Sequence, residues 1–142
     1  MNNVEQVMAQ HGKYIASPHG ISMRPMLRQG RDTVLLVPPV HPLRRGDVIL
    51  YRRPSGKLVL HRIVRAKKDG YLLGADNLPH RERGVQPDWV IGVMRGFYRD
   101  EKYIAADAFG YRLYWRLMLL THLLRAPFLA WRERRRRKGR SA

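Results

Sequence analysis

The chain has 142 residues, 44% of them hydrophobic, enough for one domain with a real core and too few for two comfortable ones. It contains no cysteine, which excludes disulfides, thiolate catalysis and Cys-based zinc sites and leaves the redox compartment open. The net charge of +17 is uneven: residues 111–142 carry ten Lys or Arg against one acid, and the other 110 residues hold the remaining +8, so the charge available to partners is largely terminal.

Met1 to Gln10 contains Glu5 and several polar residues, and it lacks the apolar run of a secretory signal or membrane anchor. Val4, Val7 and Met8 fall at helical spacing and predict a short amphipathic helix packed on the rest of the fold. Gly20 to Leu27 reads as a loop that carries Ser22, with Met23, Met26 and Leu27 available to plug a core. Asp32 to Val37 is a strand bounded by Gly30 and Pro38-Pro39, and Pro38 to Pro42 is a connector. Arg44-Arg45-Gly46-Asp47 is a turn, because Gly accepts a positive φ and Asp bonds its own downstream backbone.

Val48 to Arg52 and Leu58 to Arg65 flank a Gly- and Pro-containing loop of hairpin length and should pair antiparallel. Alternation in the second of these places Val59, His61 and Ile63 on one face, with Leu58, Leu60, Arg62 and Val64 on the other. Tyr71 to Leu73 is a short strand, and Gly74 to Pro79 is a loop. Trp89 to Met94 and Phe97 to Ile104 are two further strands with a bend or bulge at Arg95-Gly96. Six short strands with no long helical pattern before residue 111 predict a mainly β, largely antiparallel domain over residues 1–106.

Residues 107–142 form a separate tail. Leu113, Leu117, Leu120 and Leu124 make one helical stripe, and Arg112, Arg116 and Arg125 rule out a bilayer-spanning run. Pro127 is expected to end or kink the helix. Two roles fit this segment. Its leucines pack on the protein's own sheet while the arginines solubilise the end, or the helix lies on an anionic membrane with Tyr111, Tyr114, Trp115 and Trp131 as interfacial aromatics and the cations of Arg132 to Arg140 at the surface.

Four segments carry a family resemblance. Ser22-Met23-Arg24-Pro25, Gly46-Asp47-Val48, His61-Arg62-Ile63-Val64 and Gly74-Ala75-Asp76-Asn77 resemble, in order, the four boxes of the signal-peptidase-like serine peptidases, a superfamily shared with self-cleaving repressors. The match spans residues 12 to 104. The chain resembles the branch that uses histidine as base, where many bacterial members carry lysine. The resemblance implies a small antiparallel β-barrel-like fold, here with a short N-terminal helix and a basic amphipathic C-terminal helix. It also implies peptide hydrolysis without a cofactor, on extended substrates with small side chains beside the cut.

A serine hydroxyl needs a neighbour to take its proton and later return it to the leaving amine, and His61 is that candidate for Ser22. Burial between Val59 and Ile63 should keep its ring neutral near pH 7. The imidazole in turn needs an orienting group. Asp76 is preferred over Glu82, which takes the place of an expected Asp and is one methylene longer. Taken alone, Asp76 also fits an Asx-turn, and Glu82 fits surface pairing with Arg81 or Arg83. The backbone N–H groups of Ser22 and Met23 are the candidate oxyanion donors, since Gly20 stands where many members have a donating hydroxyl, and losing one donor costs about 100-fold or more in rate. Ala75, where the family more often has Gly, is a smaller departure.

The six histidines show no metal-ligand spacing and no Gly-rich loop cradles phosphate, so neither metal nor cofactor is expected. The expected partner is a peptide or protein substrate, with an anionic membrane surface reached through residues 111–142. The expected location is the cytoplasm, peripheral at the inner face of the membrane. The rival reading is a nucleic-acid-binding or regulatory module on the same β-scaffold, and an inactive peptidase kept as a scaffold is a third.

Overall fold

In the computed structural model the described residues are 3–20, 22–77 and 80–140. Ile21, in the serine-bearing stretch, and Leu78 and Pro79, in the loop after Gly74, lie outside them, as do the two ends of the chain. A helix, Asn3–His11 (α1), leads into eight strands: Tyr14–Ala16 (β1), Asp32–Val37 (β2), Val48–Arg52 (β3), Leu58–Lys67 (β4), Gly70–Gly74 (β5), Arg81–Val85 (β6), Val90–Arg99 (β7) and Lys102–Ala105 (β8). A 32-residue helix, Phe109–Arg140 (α2), follows.

The strands form one antiparallel sheet in the order β1-β2-β7-β3-β4-β5-β6, with β8 also on β7. Among the described residues that path does not return on itself, so the strands make an open sheet with several bulges rather than the expected closed barrel. β7 is its hub. β2 pairs along one edge of it, β3 along the first half of the other edge, and β8 along the second half. The expected antiparallel pairing of β3 with β4 is present, with Val48 opposite Arg62 and Ile49 opposite His61.

Period-2 patterning sets the core. β3 is buried on both faces: Val48 and Leu50 join Met23, Met26, Leu27, Val34 and Leu36, while Ile49 and Tyr51 join Ile63, Leu73, Val85 and Val90 on the other side. Met8 of α1 is buried in the first cluster, with Val4 beside it, so the N-terminal helix packs on the sheet as its spacing implied. Met23, Met26 and Leu27 fill the core below the serine loop, also as expected.

Four expectations need correction. β1 and β6 were not foreseen, because three residues carry no pattern and Arg81–Val85 is largely charged. β7 does not stop at Arg95-Gly96. Leu35 and Leu36 of β2 face Gly96 and Met94, so Arg95 is an extra bulge residue and the strand runs on to Arg99. The actual reversal is a two-residue turn at Asp100-Glu101, both at positive φ, the geometry that a tight hairpin requires. Of the two outcomes expected of Pro127, ending the helix does not occur, although proline inside a helix costs about 3 kcal/mol. It sits exposed, with Met118 and Leu119 buried before it and Leu129 after it to hold both sides.

Candidate functional site

β4 places two polar residues side by side and sends them to opposite faces. Each meets a carboxylate and tyrosine hydroxyls, with different results.

On the first face Arg62 is fully buried. Its Nε and Nη2 donate to the two oxygens of Asp76 at 2.9 and 2.7 Å. Nη1 donates to the Gly46 carbonyl at 2.9 Å and to Tyr111 Oη at 3.0 Å, and Nη2 also approaches Met26 Sδ at 3.9 Å. All five N–H groups of the guanidinium thus have an acceptor. Burial alone would lower its pKa, but the Asp76 charge and hydrogen bonds more than offset it, and Arg62 stays charged. Tyr114 Oη reaches Asp76 at 3.4 Å, so α2 covers this pair. Gly46 makes that seat possible. Its φ is +97°, and a Cβ there would come within 2.6 Å of the Trp115 ring.

Ser22 lies beside the same pair. Its carbonyl accepts from the Asn77 N–H at 2.9 Å, which stitches the serine loop to the residue after Asp76. The rest of the loop is fastened to the sheet through Asp32. This carboxylate is buried and receives Arg31 at 2.8 Å, Arg99 at 3.0 Å and the Arg28 N–H at 2.9 Å. Arg31 also donates to the Met26 carbonyl at 3.0 Å. Ser22 itself is half-buried.

On the second face His61 is half-buried, and its Nδ1 lies 3.3 Å from Tyr51 Oη. Tyr51 is fully buried and makes a short hydrogen bond to Glu82 Oε2. Arg53 closes the group, with Nη2 donating to Glu82 at 2.8 Å and Nε at 3.1 Å. Burial would push the Glu82 carboxyl up. The bonds from Arg53 and Tyr51 outweigh it, and Glu82 sits below the usual carboxylate range. Burial and the neighbouring Glu82 charge push the Tyr51 hydroxyl up, so it keeps its proton. That single proton is committed to Glu82, so the Tyr51 oxygen can only accept from the ring. The neutral imidazole therefore carries its hydrogen on Nδ1 and leaves Nε2 to accept. Burial lowers the ring pKa to about 4, with the Glu82 charge opposing, so the ring is neutral at physiological pH.

The sequence-derived set is therefore divided. Glu82 reaches His61 through Tyr51. Asp76 makes no hydrogen bond to His61 among the described residues, because both its oxygens are taken by Arg62, and it is buried; the Asx-turn expected of it would rest on Leu78, outside the described residues. Ser22 and His61 are not hydrogen-bonded to each other in this structure. Their backbones are linked by a short chain of contacts from the Ser22 carbonyl to Asn77, on through Asp76 to Arg62, the neighbour of His61. A groove of about 1010 Å³ lies elsewhere, between the segment 37–48, β7 and α2, and none of Ser22, His61, Asp76 and Glu82 lines it.

Sequence reasoning missed Tyr51, Arg53 and the role of Arg62. A signal for Tyr51 existed: it is two residues from Ile49, which faces His61, and therefore projects from the same face of the sheet. The described residues hold no group of three metal-ligating side chains. Comparison with known families and proteins adds no identity: no family model matches the chain, and no curated protein does.

Proposed function

We propose that the protein is a serine endopeptidase on a signal-peptidase-like scaffold. Ser22 Oγ attacks the peptide carbonyl while His61 Nε2 takes the hydroxyl proton. The C–N bond breaks as the imidazolium returns that proton to the leaving amine, and water then hydrolyses the acyl-enzyme by the same route. Glu82, acting through Tyr51, orients the ring. Arg62 and Asp76 hold β4 and the serine loop together, and the backbone N–H groups of Ser22 and Met23 receive the oxyanion. Substrates are extended peptides with small side chains next to the cut. The site of action is the cytoplasmic side, with the open sheet read as the family's partly closed barrel and residues 107–142 as an appended element.

The observation that supports this reading is the proton arrangement at His61: a neutral ring whose one hydrogen is held by Tyr51 and whose other nitrogen is left to accept. A histidine that served only packing would not need that arrangement. Catalysis requires the Ser22 hydroxyl and His61 Nε2, here set toward opposite faces of β4, to come within hydrogen-bond reach when substrate binds.

The test is mass spectrometry of a peptide library incubated with the protein, its Ser22→Ala form and its His61→Ala form, each checked for folding by circular dichroism. Each substitution is expected to reduce cleavage by about 10⁴-fold or more, in the range seen when one member of such a set is removed. Cleavage that survives both changes overturns the mechanism.

A further inference from the structure

The structure resolves which side of α2 faces the protein. Tyr111, Met118 and Leu129 lie on one side and are buried. The opposite side carries Leu113, Leu117, Leu120, Leu124, Phe128 and Trp131, spaced by three or four residues and 47 to 82% exposed. At 1.5 Å per residue this stripe is about 27 Å long. It is too long and too apolar to be left as scattered surface residues.

Its borders are cationic. Arg112 and Arg116 run along one flank, Arg125 and Arg132 along the other, and Glu133 is the one acid in the helix. Phe128 and Trp131 lie 5.9 Å apart, and Arg135 stacks on the Trp131 ring at 4.7 Å. No helix among the described residues is long and apolar enough to cross a membrane.

We propose that α2 docks in the plane of an anionic lipid bilayer, with the Leu113–Trp131 stripe among the acyl chains and the flanking arginines on the headgroups. Charge selects this occupant. A second copy of the chain, itself at +17, would bring arginine flanks against arginine flanks. A nucleic acid would satisfy the arginines and leave the leucines in water. An anionic bilayer satisfies both sets of groups at once. Because the other side of α2 touches Arg62 and Asp76 through Tyr111 and Tyr114, docking sets the Ser22 loop close to the membrane plane. The proposal stands on the helix alone and does not depend on peptidase activity.

The experiment is flotation of the full chain with phosphatidylcholine vesicles, with or without phosphatidylglycerol, at physiological and high salt. Comparison is with Leu120→Glu/Leu124→Glu, two exposed positions whose change leaves the core untouched. The protein should float with the anionic vesicles and at least tenfold less with neutral ones. Binding should weaken in high salt without vanishing, and the double variant should lose at least tenfold in partition while keeping its circular dichroism. Brominated lipid should quench tryptophan emission in the parent only. Equal flotation of the double variant overturns the proposal. So does a dimer that dissolves in the variant with no flotation of the parent, or binding confined to oligonucleotides and indifferent to the two leucines.

Discussion

Arg62 and His61 are consecutive residues of one strand, and each sits with a carboxylate and tyrosine, yet the two groups are opposites. Around Arg62 every donor is used, no water is needed, and α2 closes over the pair. Around His61 the bonding stops one atom short, because Tyr51 and Glu82 fix Nδ1 and nothing they do engages Nε2. Saturation belongs to a group that holds structure. A single leftover acceptor, on a ring kept neutral by burial, belongs to a group that can take a proton. The saturated side stiffens β4 and the serine loop so that the unsaturated side can be held in place.

The largest test of this contrast is to empty the saturated side. Arg62→Ala would strip the buried Asp76 carboxylate of its paired donors, and breaking such a pair costs roughly 3–5 kcal/mol. Denaturant unfolding should show that loss and a matching fall in the midpoint. His61→Ala, by contrast, should abolish cleavage while shifting the midpoint far less. If the two substitutions destabilise equally, the division between a structural and a chemical face fails.

The second test is acid. His61 has a folded pKa near 4 against about 6.5 when unfolded, so between those values the unfolded chain binds more protons. Stability is therefore fully present above pH 6.5 and falls as pH drops through 4, by roughly 2 kcal/mol once partial exposure is allowed for. Asp32 and Glu82, both held below the usual carboxylate range, add further loss as pH falls into and below that range. Unfolding measured from pH 7 to 4 should flatten in His61→Phe, and cleavage should persist down to about pH 4 where an unperturbed histidine would fail near 6.5. A slope unchanged in the variant removes His61 from the account.

Much of the frame was legible because strands β2, β3 and β4 are β-branched runs bounded by turn residues. The edges were not: Arg81–Val85 pairs with β5 despite its charges, since an edge strand needs only backbone partners. The neutral state of His61 could be read from Val59 and Ile63 beside it. The partner of Asp76 could not be read by treating each acid as a servant of the histidine. Alternation had already put Arg62 on the opposite face, and a buried guanidinium competes for a carboxylate more strongly than a neutral ring does. Tyr51 escaped because a tyrosine in a buried strand reads as core until its hydroxyl is placed.

That hydroxyl gives the smallest and most discriminating expectation. Tyr51→Phe keeps the ring and its packing, and Glu82 keeps the three contacts from Arg53. Only the link between carboxylate and imidazole is cut. Stability should fall by about 1 kcal/mol, the net worth of an ordinary hydrogen bond. With no acceptor at Nδ1, the ring hydrogen is free to move to Nε2, which removes the base from part of the population, and cleavage should drop about tenfold. Nitrogen-15 NMR of the labelled ring reads this directly, with Nε2 unprotonated in the parent and a mixture of tautomers in the variant. A tyrosine that merely filled space would leave the tautomer unmoved, and that result would return the orienting role to a group still to be found.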